Sequence, residues 1–405
     1  MKKFLSLLLA LLMLLATFAQ AEDDRKALDY QPLKELTAKY GFTMGAPLSA
    51  SDLGNFNYRK LVAHHFDTIT CTNEMKAYSM LDQRASQASE DGMPRMNYAT
   101  ADKMVKFAAD NGLKVRGHVL VWDAYMTDWF FHEGYDARNP IADAETLKAR
   151  MKSYIEQVVT HFETTFPGVV YCWDVVNEAV GDNVGEYKPD DPRHVRTMRN
   201  GAPNPFYEYV GPDYVELAFL YTRDVVDALG ADITLFYNDY NALYDGKRAA
   251  IKALVTSINT YAKDENGEYR QLVDGVGMQG YIGGYGQQQG CMNSNDVKLV
   301  AKSIKEYATL GMEVQLTEMS LRNYDETKQA EHAAFYGKMF EVFCAANEGE
   351  GNPLTSVAIW GLLDCTNLPK THYTWKLNSP YCGLFTLKLN VKDSFKTIYA
   401  QMGGE

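Results

Sequence analysis

With 405 residues, 46% hydrophobic and 12% aromatic, the chain can bury a full globular core, and a disordered or fibrous class is excluded. A net charge of −12 argues against nucleic acid or an anionic membrane as partner and leaves a neutral polymer open. No CxxC or HExxH spacing occurs, so neither a structural nor a catalytic zinc is expected.

The chain starts with Met1-Lys2-Lys3, an apolar run from Phe4 to Ala19, and Ala19-Gln20-Ala21, a small-x-small cleavage pattern. Residues 1–21 read as a secretory signal peptide, too short for a comfortable membrane span. Residues 22–405 are expected to form one domain, secreted to the periplasm or outside the cell and monomeric.

Short apolar runs then alternate with amphipathic stretches. Strands are expected over 42–48, 66–73, 114–122, 169–178, 233–241, 274–281, 313–320 and 356–364. Helical spacing appears over 100–111, 144–166, 213–229, 246–261 and 294–310. Asn111-Gly112 and Leu310-Gly311 are helix-stop signals just before a strand. Eight strands alternating with helices point to an α/β fold, a (β/α)8 TIM barrel. An open doubly wound sheet would usually carry a glycine-rich phosphate loop after its first strand, whereas this position reads Met44-Gly45-Ala46-Pro47-Leu48. The Pro-rich, charged stretch 188–205 is expected to be a long loop at the active-site end.

Six cysteines are spread thinly. Cys71 and Cys172 fall in expected strands and read as small buried hydrophobes. Cys365 and Cys382 share a C-terminal segment and are the pair favoured if a disulfide forms.

In a barrel, function gathers at the C-terminal ends of the strands. Those ends carry Asn73, Glu74 and Lys76; His118 and Trp122; Asn177 and Glu178; Asn238-Asp239-Tyr240-Asn241; Gln279 and Tyr281; Glu318; and Trp360. Glu178 and Glu318 close the apolar runs VVYCWDVVNE and EVQLTE. If both strands line one barrel, two carboxylates meet across one pocket. Glycosidic cleavage needs such a pair, one to protonate the leaving oxygen and one to attack the sugar or activate water.

RGHVLVW (116–122), WDVVNEA (173–179), YNDYN (237–241), LTE (316–318) and WG (360–361) occur in this order. Together they resemble glycoside hydrolase family 10, the endo-β-1,4-xylanases, over nearly the whole chain after the leader. The resemblance implies a retaining endo-xylanase without a cofactor, acting on xylan or xylo-oligosaccharides. It implies Glu178 as general acid/base and Glu318 as nucleophile. Asn177, His118, Lys76 and Gln279 would bind the sugar at the cleavage point. Asn73 would contact the next glycone sugar, with Trp122, Tyr281 and Trp360 completing the site. The acid must hold its proton near neutral pH, which a neighbouring carboxylate favours by like-charge repulsion.

The chain also departs from the family pattern. Thr72 stands where Glu is usual, Asp123 where His is usual, Tyr125 where Gln is usual, and Tyr281 where a His usually meets the nucleophile. A second family Trp falls near Leu368, with Trp375 as a possible replacement. These changes motivate an alternative, a related retaining β-glycosidase acting on aryl glycosides, β-glucan or decorated xylan. A non-catalytic xylan-binding barrel is a further reading, disfavoured because both glutamates are kept.

Overall fold

The computed structural model describes residues 25–182, 188–283, 292–349, 351–364 and 380–405. Eight parallel strands run in chain order: β1 (Thr43–Leu48), β2 (Thr68–Cys71), β3 (Lys114–Val121), β4 (Val170–Asn177), β5 (Thr234–Asp239), β6 (Gly275–Met278), β7 (Glu313–Leu321) and β8 (Leu354–Ile359). Each pairs with the next, and β8 closes onto β1 with Met44 opposite Val357. One principal helix follows each strand: α1 (Phe56–His65), α2 (Ala99–Asp110), α3 (Ala144–Thr165), α4 (Tyr214–Leu229), α5 (Asp245–Ile258), α6 (Ser294–Ala308), α7 (Gln329–Ala346) and α8 (Asp393–Gln401). The expected (β/α)8 barrel is therefore the observed one.

The helices begin and end where side-chain chemistry directs. Asp143 accepts the Thr146 N–H at 2.9 Å and starts α3; Asn55 accepts the Tyr58 N–H at 3.1 Å and starts α1. The expected stops at Gly112 and Gly311 hold, with φ of 66° and 72° after α2 and α6. Along α3, Leu147, Met151, Tyr154, Ile155, Val158, Val159 and Phe162 are buried, one face at helical spacing turned to the barrel.

The strands are buried on both sides, as a parallel barrel requires. Outside the barrel wall, Trp173 is fully buried with its ring 6.0 Å from Phe162 of α3. It lies over Gly117 of β3, where an added Cβ would sit 2.4 Å from the indole. Inside the barrel, Gly277 leaves the space that Asn238, Thr317 and Arg116 fill.

Two expectations need adjustment. The sixth strand is broken: β6 ends at Met278, Gly280 turns with φ 79°, and Tyr281–Ile282 pairs separately with Ser320 and Leu321. The stretch 188–205 is not wholly irregular, since Met198–Arg199 and Ala202–Pro203 form a small antiparallel ribbon. Cys71 and Cys172 are buried thiols, as expected. Cys365, Leu368 and Trp375 lie outside the described residues.

Candidate active site

Glu178 is the first residue past β4 and adopts φ 56°. A left-handed non-glycine residue costs about 1–3 kcal/mol, so the turn must be held. Its N–H donates to the Asn238 carbonyl at 2.9 Å, and its own carbonyl accepts from Arg196 Nε at 3.1 Å. Next door, the Val180 N–H donates to the Tyr237 hydroxyl at 3.0 Å. The carboxylate that this turn presents is gripped on both oxygens. Gln279 Nε2 donates to Oε1 and Arg199 Nη1 to Oε2, each at 2.9 Å.

Glu318 lies within β7, its N–H donating to the Gln279 carbonyl at 2.8 Å. Tyr281, aimed by the turn at Gly280, donates its hydroxyl to Glu318 Oε2 at 2.5 Å. Burial raises the Glu318 pKa above the ordinary carboxylate value, and the Glu178 charge adds to the rise. His118, the Tyr281 hydrogen bond and Lys76 oppose it. Burial lowers the Lys76 ammonium pKa, against the pull of Glu318, Glu178 and Glu74. Gln279 joins the two glutamates, its side chain donating to Glu178 Oε1 while its carbonyl accepts the Glu318 N–H, so the ends of β4 and β7 meet at one place in the barrel mouth.

Below them lies a continuous polar network. Asn177 Oδ1 accepts from Asn238 Nδ2 at 2.9 Å and from Gln279 Nε2 at 3.3 Å, and Thr317 donates to Asn238 Oδ1 at 2.7 Å. With its oxygen so engaged, Asn177 keeps a buried Nδ2 that has no acceptor among the described residues. An unsatisfied buried donor costs about 1–3 kcal/mol, and a sugar hydroxyl would satisfy it. His118 Nδ1 lies 2.8 Å from Asp174, which also pairs with Arg116, and Arg116 reaches Gln315 at 2.5 Å. Among the described residues, no group of three His, Cys, Asp or Glu side chains is placed to hold a metal ion.

The profile of glycosyl hydrolase family 10 matches residues 32–401. The chain belongs to family 10. It is 33% identical over 317 residues to a putative endo-1,4-beta-xylanase of Caldicellulosiruptor saccharolyticus, covering 75% of this chain and 92% of that protein. It is 34% identical over 355 residues to endo-1,4-beta-xylanase A of Thermotoga maritima, covering 85% of this chain but 28% of that longer protein. Among solved structures, an N-terminal endo-1,4-beta-D-xylanase 10B of Clostridium thermocellum, complexed with xylohexaose, superposes with a TM-score of 0.77 at 26% identity. That match covers 91% of this chain and 67% of the other.

The residues singled out from the family 10 motifs converge on this pocket. Asn73 Oδ1 accepts from Lys76 Nζ at 3.1 Å, and the Lys76 ammonium lies 5.2 Å from the Trp122 ring and 4.2 Å from that of Tyr125. The His118 and Trp122 rings meet edge to face at 5.7 Å. Trp360 follows β8 and is half-buried, its N–H donating to the Met319 carbonyl beside Glu318 at 2.7 Å.

The family 10 departures fall into three places, one of them Tyr281 at the Glu318 carboxylate. Thr72, Tyr125 and the exposed Tyr78 lie on the side of Asn73 and Lys76, with the Tyr125 ring 4.5 Å from Trp122 and 5.5 Å from Tyr78. Asp123 instead faces the ribbon: its carboxylate takes Arg199 Nε at 2.7 Å and Nη2 at 2.9 Å. Motif reading did not single out Arg199, which is brought to Glu178 only by the ribbon. Asp174 was also missed, although an ionisable residue inside WDVVNE was a usable signal.

Proposed function

We propose that this protein is an endo-1,4-β-xylanase that cleaves internal β-1,4-xylosidic bonds of xylan with retention of configuration. The observation that carries this reading is the pair of buried carboxylates on β4 and β7, each fixed by its own donors and both reaching one pocket. Glu318 attacks the anomeric carbon as the glycosidic C–O bond breaks, and Glu178 gives its proton to the leaving oxygen. Water then attacks the glycosyl ester and yields its proton to Glu178, which frees Glu318. The two steps restore the original anomeric configuration.

Asn177, His118, Lys76 and Gln279 hold the sugar at the cleavage point. Asn73 holds its glycone neighbour, and Trp122, Tyr281 and Trp360 complete the walls. The test is proton NMR of fresh product from linear xylan. The β-anomer appears first under this mechanism, and α-first product rejects it.

A second reading keeps the machinery and shifts the glycone preference. Tyr125 and Tyr78 present exposed aromatic surface, and aromatic faces stack on pyranose rings. Initial rates on linear xylan, decorated xylan, β-glucan and an aryl xyloside separate the two: preference for linear xylan supports the first.

Residues 1–21 act as a signal peptide in this reading, and 22–405 as a secreted, monomeric catalytic domain. The N-terminal sequence of protein recovered outside the cytoplasm, together with light scattering, tests that.

A further inference from the structure

Arg199 is a second-layer cation brought into the barrel mouth by the ribbon Met198–Arg199/Ala202–Pro203. Its fork is divided between two acids. Nε and Nη2 close a two-point pair on Asp123 at 2.7 and 2.9 Å, and the remaining Nη1 meets Glu178 Oε2 at 2.9 Å. Nη2 also lies 3.3 Å from the Glu178 carbonyl oxygen. The Asp123 side chain is 4% exposed, that of Glu178 11% and that of Arg199 18%, so water screens these contacts weakly.

Glu178 has to carry a proton in the first step and be a carboxylate in the second. A lone guanidinium against Oε2 would favour the charged form and starve the first step of its acid. A lone Asp123 nearby would favour the protonated form and weaken the base of the second. Together the two are close to neutral, with the positive end turned to Glu178.

We propose that Arg199 and Asp123 form a charge-compensated positioning pair that aligns the Glu178 carboxyl and balances its proton uptake between the two steps. Arg199 stabilises the charge that develops on Glu178 as it protonates the leaving oxygen, and Asp123 limits that effect. This rests on the reading of Glu178 as the acid/base.

Other charged and titratable groups act on Glu178. They are Glu318 and Tyr281 from β7 and the extension of β6, Lys76 and Tyr125 from the loops after β2 and β3, Asp239 and Tyr240 at the end of β5, and Arg196, whose Nε donates to the Glu178 carbonyl at 3.1 Å. All stay in place in the variants below.

The experiment is the pH profile of kcat/KM on xylo-oligosaccharides, whose basic limb reports the acid of the free enzyme. Asp123→Asn leaves the guanidinium uncompensated, and the basic limb moves down by about one pH unit. Arg199→Met leaves Asp123 uncompensated, and the limb moves up by about one unit. Arg199→Lys restores the charge and returns the limb toward the original. A purely structural role lowers kcat in both variants and leaves the limb in place.

Asp123→Asn is nearly isosteric and decides the matter even if Arg199→Met does not fold. A limb that stays put or moves up in Asp123→Asn overturns the proposal, as do shifts of one sign in both variants. Glu178→Gln separately tests the underlying assignment: if the basic limb persists there, Glu178 is not the acid, whatever the pair does.

Discussion

The Tyr281 hydroxyl donates a 2.5 Å hydrogen bond to Oε2 of Glu318. Family 10 usually places a histidine there. A histidine can be charged near neutral pH, whereas the Tyr281 phenol stays neutral because burial and the neighbouring Glu318 hold its pKa well above the usual value. The nucleophile is therefore supported by a neutral donor, and His118 and, to a smaller extent, Lys76 also favour its charged form.

Replacing Tyr281 with Phe removes that donor. A hydrogen bond to a charged group is worth about 1.5–3 kcal/mol, so the Glu318 carboxyl becomes harder to ionise. The acidic limb of kcat/KM then moves up by about one pH unit or more, as measured by initial rates from pH 3 upward. An unmoved limb would show that the phenol does not support the charge.

Glu318→Gln abolishes turnover and leaves xylo-oligosaccharide binding measurable by calorimetry. It also changes stability with a definite sign. The Glu318 pKa is raised in the folded state, so between the unfolded value of about 4.3 and that raised value the folded chain binds more protons. Stability therefore falls as pH rises through this window, and the deficit persists above it. The variant escapes it: its Tm exceeds the parent's by about 1–3 °C near neutral pH, and the gain disappears below the unfolded value.

Glu178→Ala removes the proton donor. Turnover of xylan, with its poor leaving group, falls by about a hundredfold or more. Formation of the glycosyl-enzyme from an activated aryl xyloside falls far less, seen as a burst of phenolate. Equal losses on both substrates would sink the acid assignment.

Gly117→Ala places a Cβ 2.4 Å from the Trp173 indole, a fully buried ring packed against Phe162 of α3. Overpacking of this kind costs about 1–3 kcal/mol. Gly54→Ala meets nothing within 4 Å and serves as the control, with a change of about 0.5 kcal/mol or less. Scanning calorimetry of both variants is the check.

The barrel was legible because its strands are short apolar runs bounded by helix-stop glycines. Glu178 and Glu318 were legible because each closes such a run within a specific motif. The break at Gly280 was less visible: a continuous apolar pattern does not reveal one left-handed residue. Arg199 could not be read locally at all. It meets Asp123 across 76 positions and Glu178 across 21, through a ribbon that no period in the sequence announces. The Arg116–Asp174–His118 chain was obscured differently, since charged residues in apolar strands read as interruptions until the barrel joins them around its axis.

That chain has a consequence for engineering. Arg116 and His118 sit on β3, Asp174 on β4 and Gln315 on β7, three residues before Glu318. The strands that carry the histidine and both glutamates are therefore laced together across the barrel interior. A campaign that swaps the axial charges for apolar packing to gain heat resistance would loosen this lacing. Its cost would surface as lost turnover, at positions that never meet the polysaccharide.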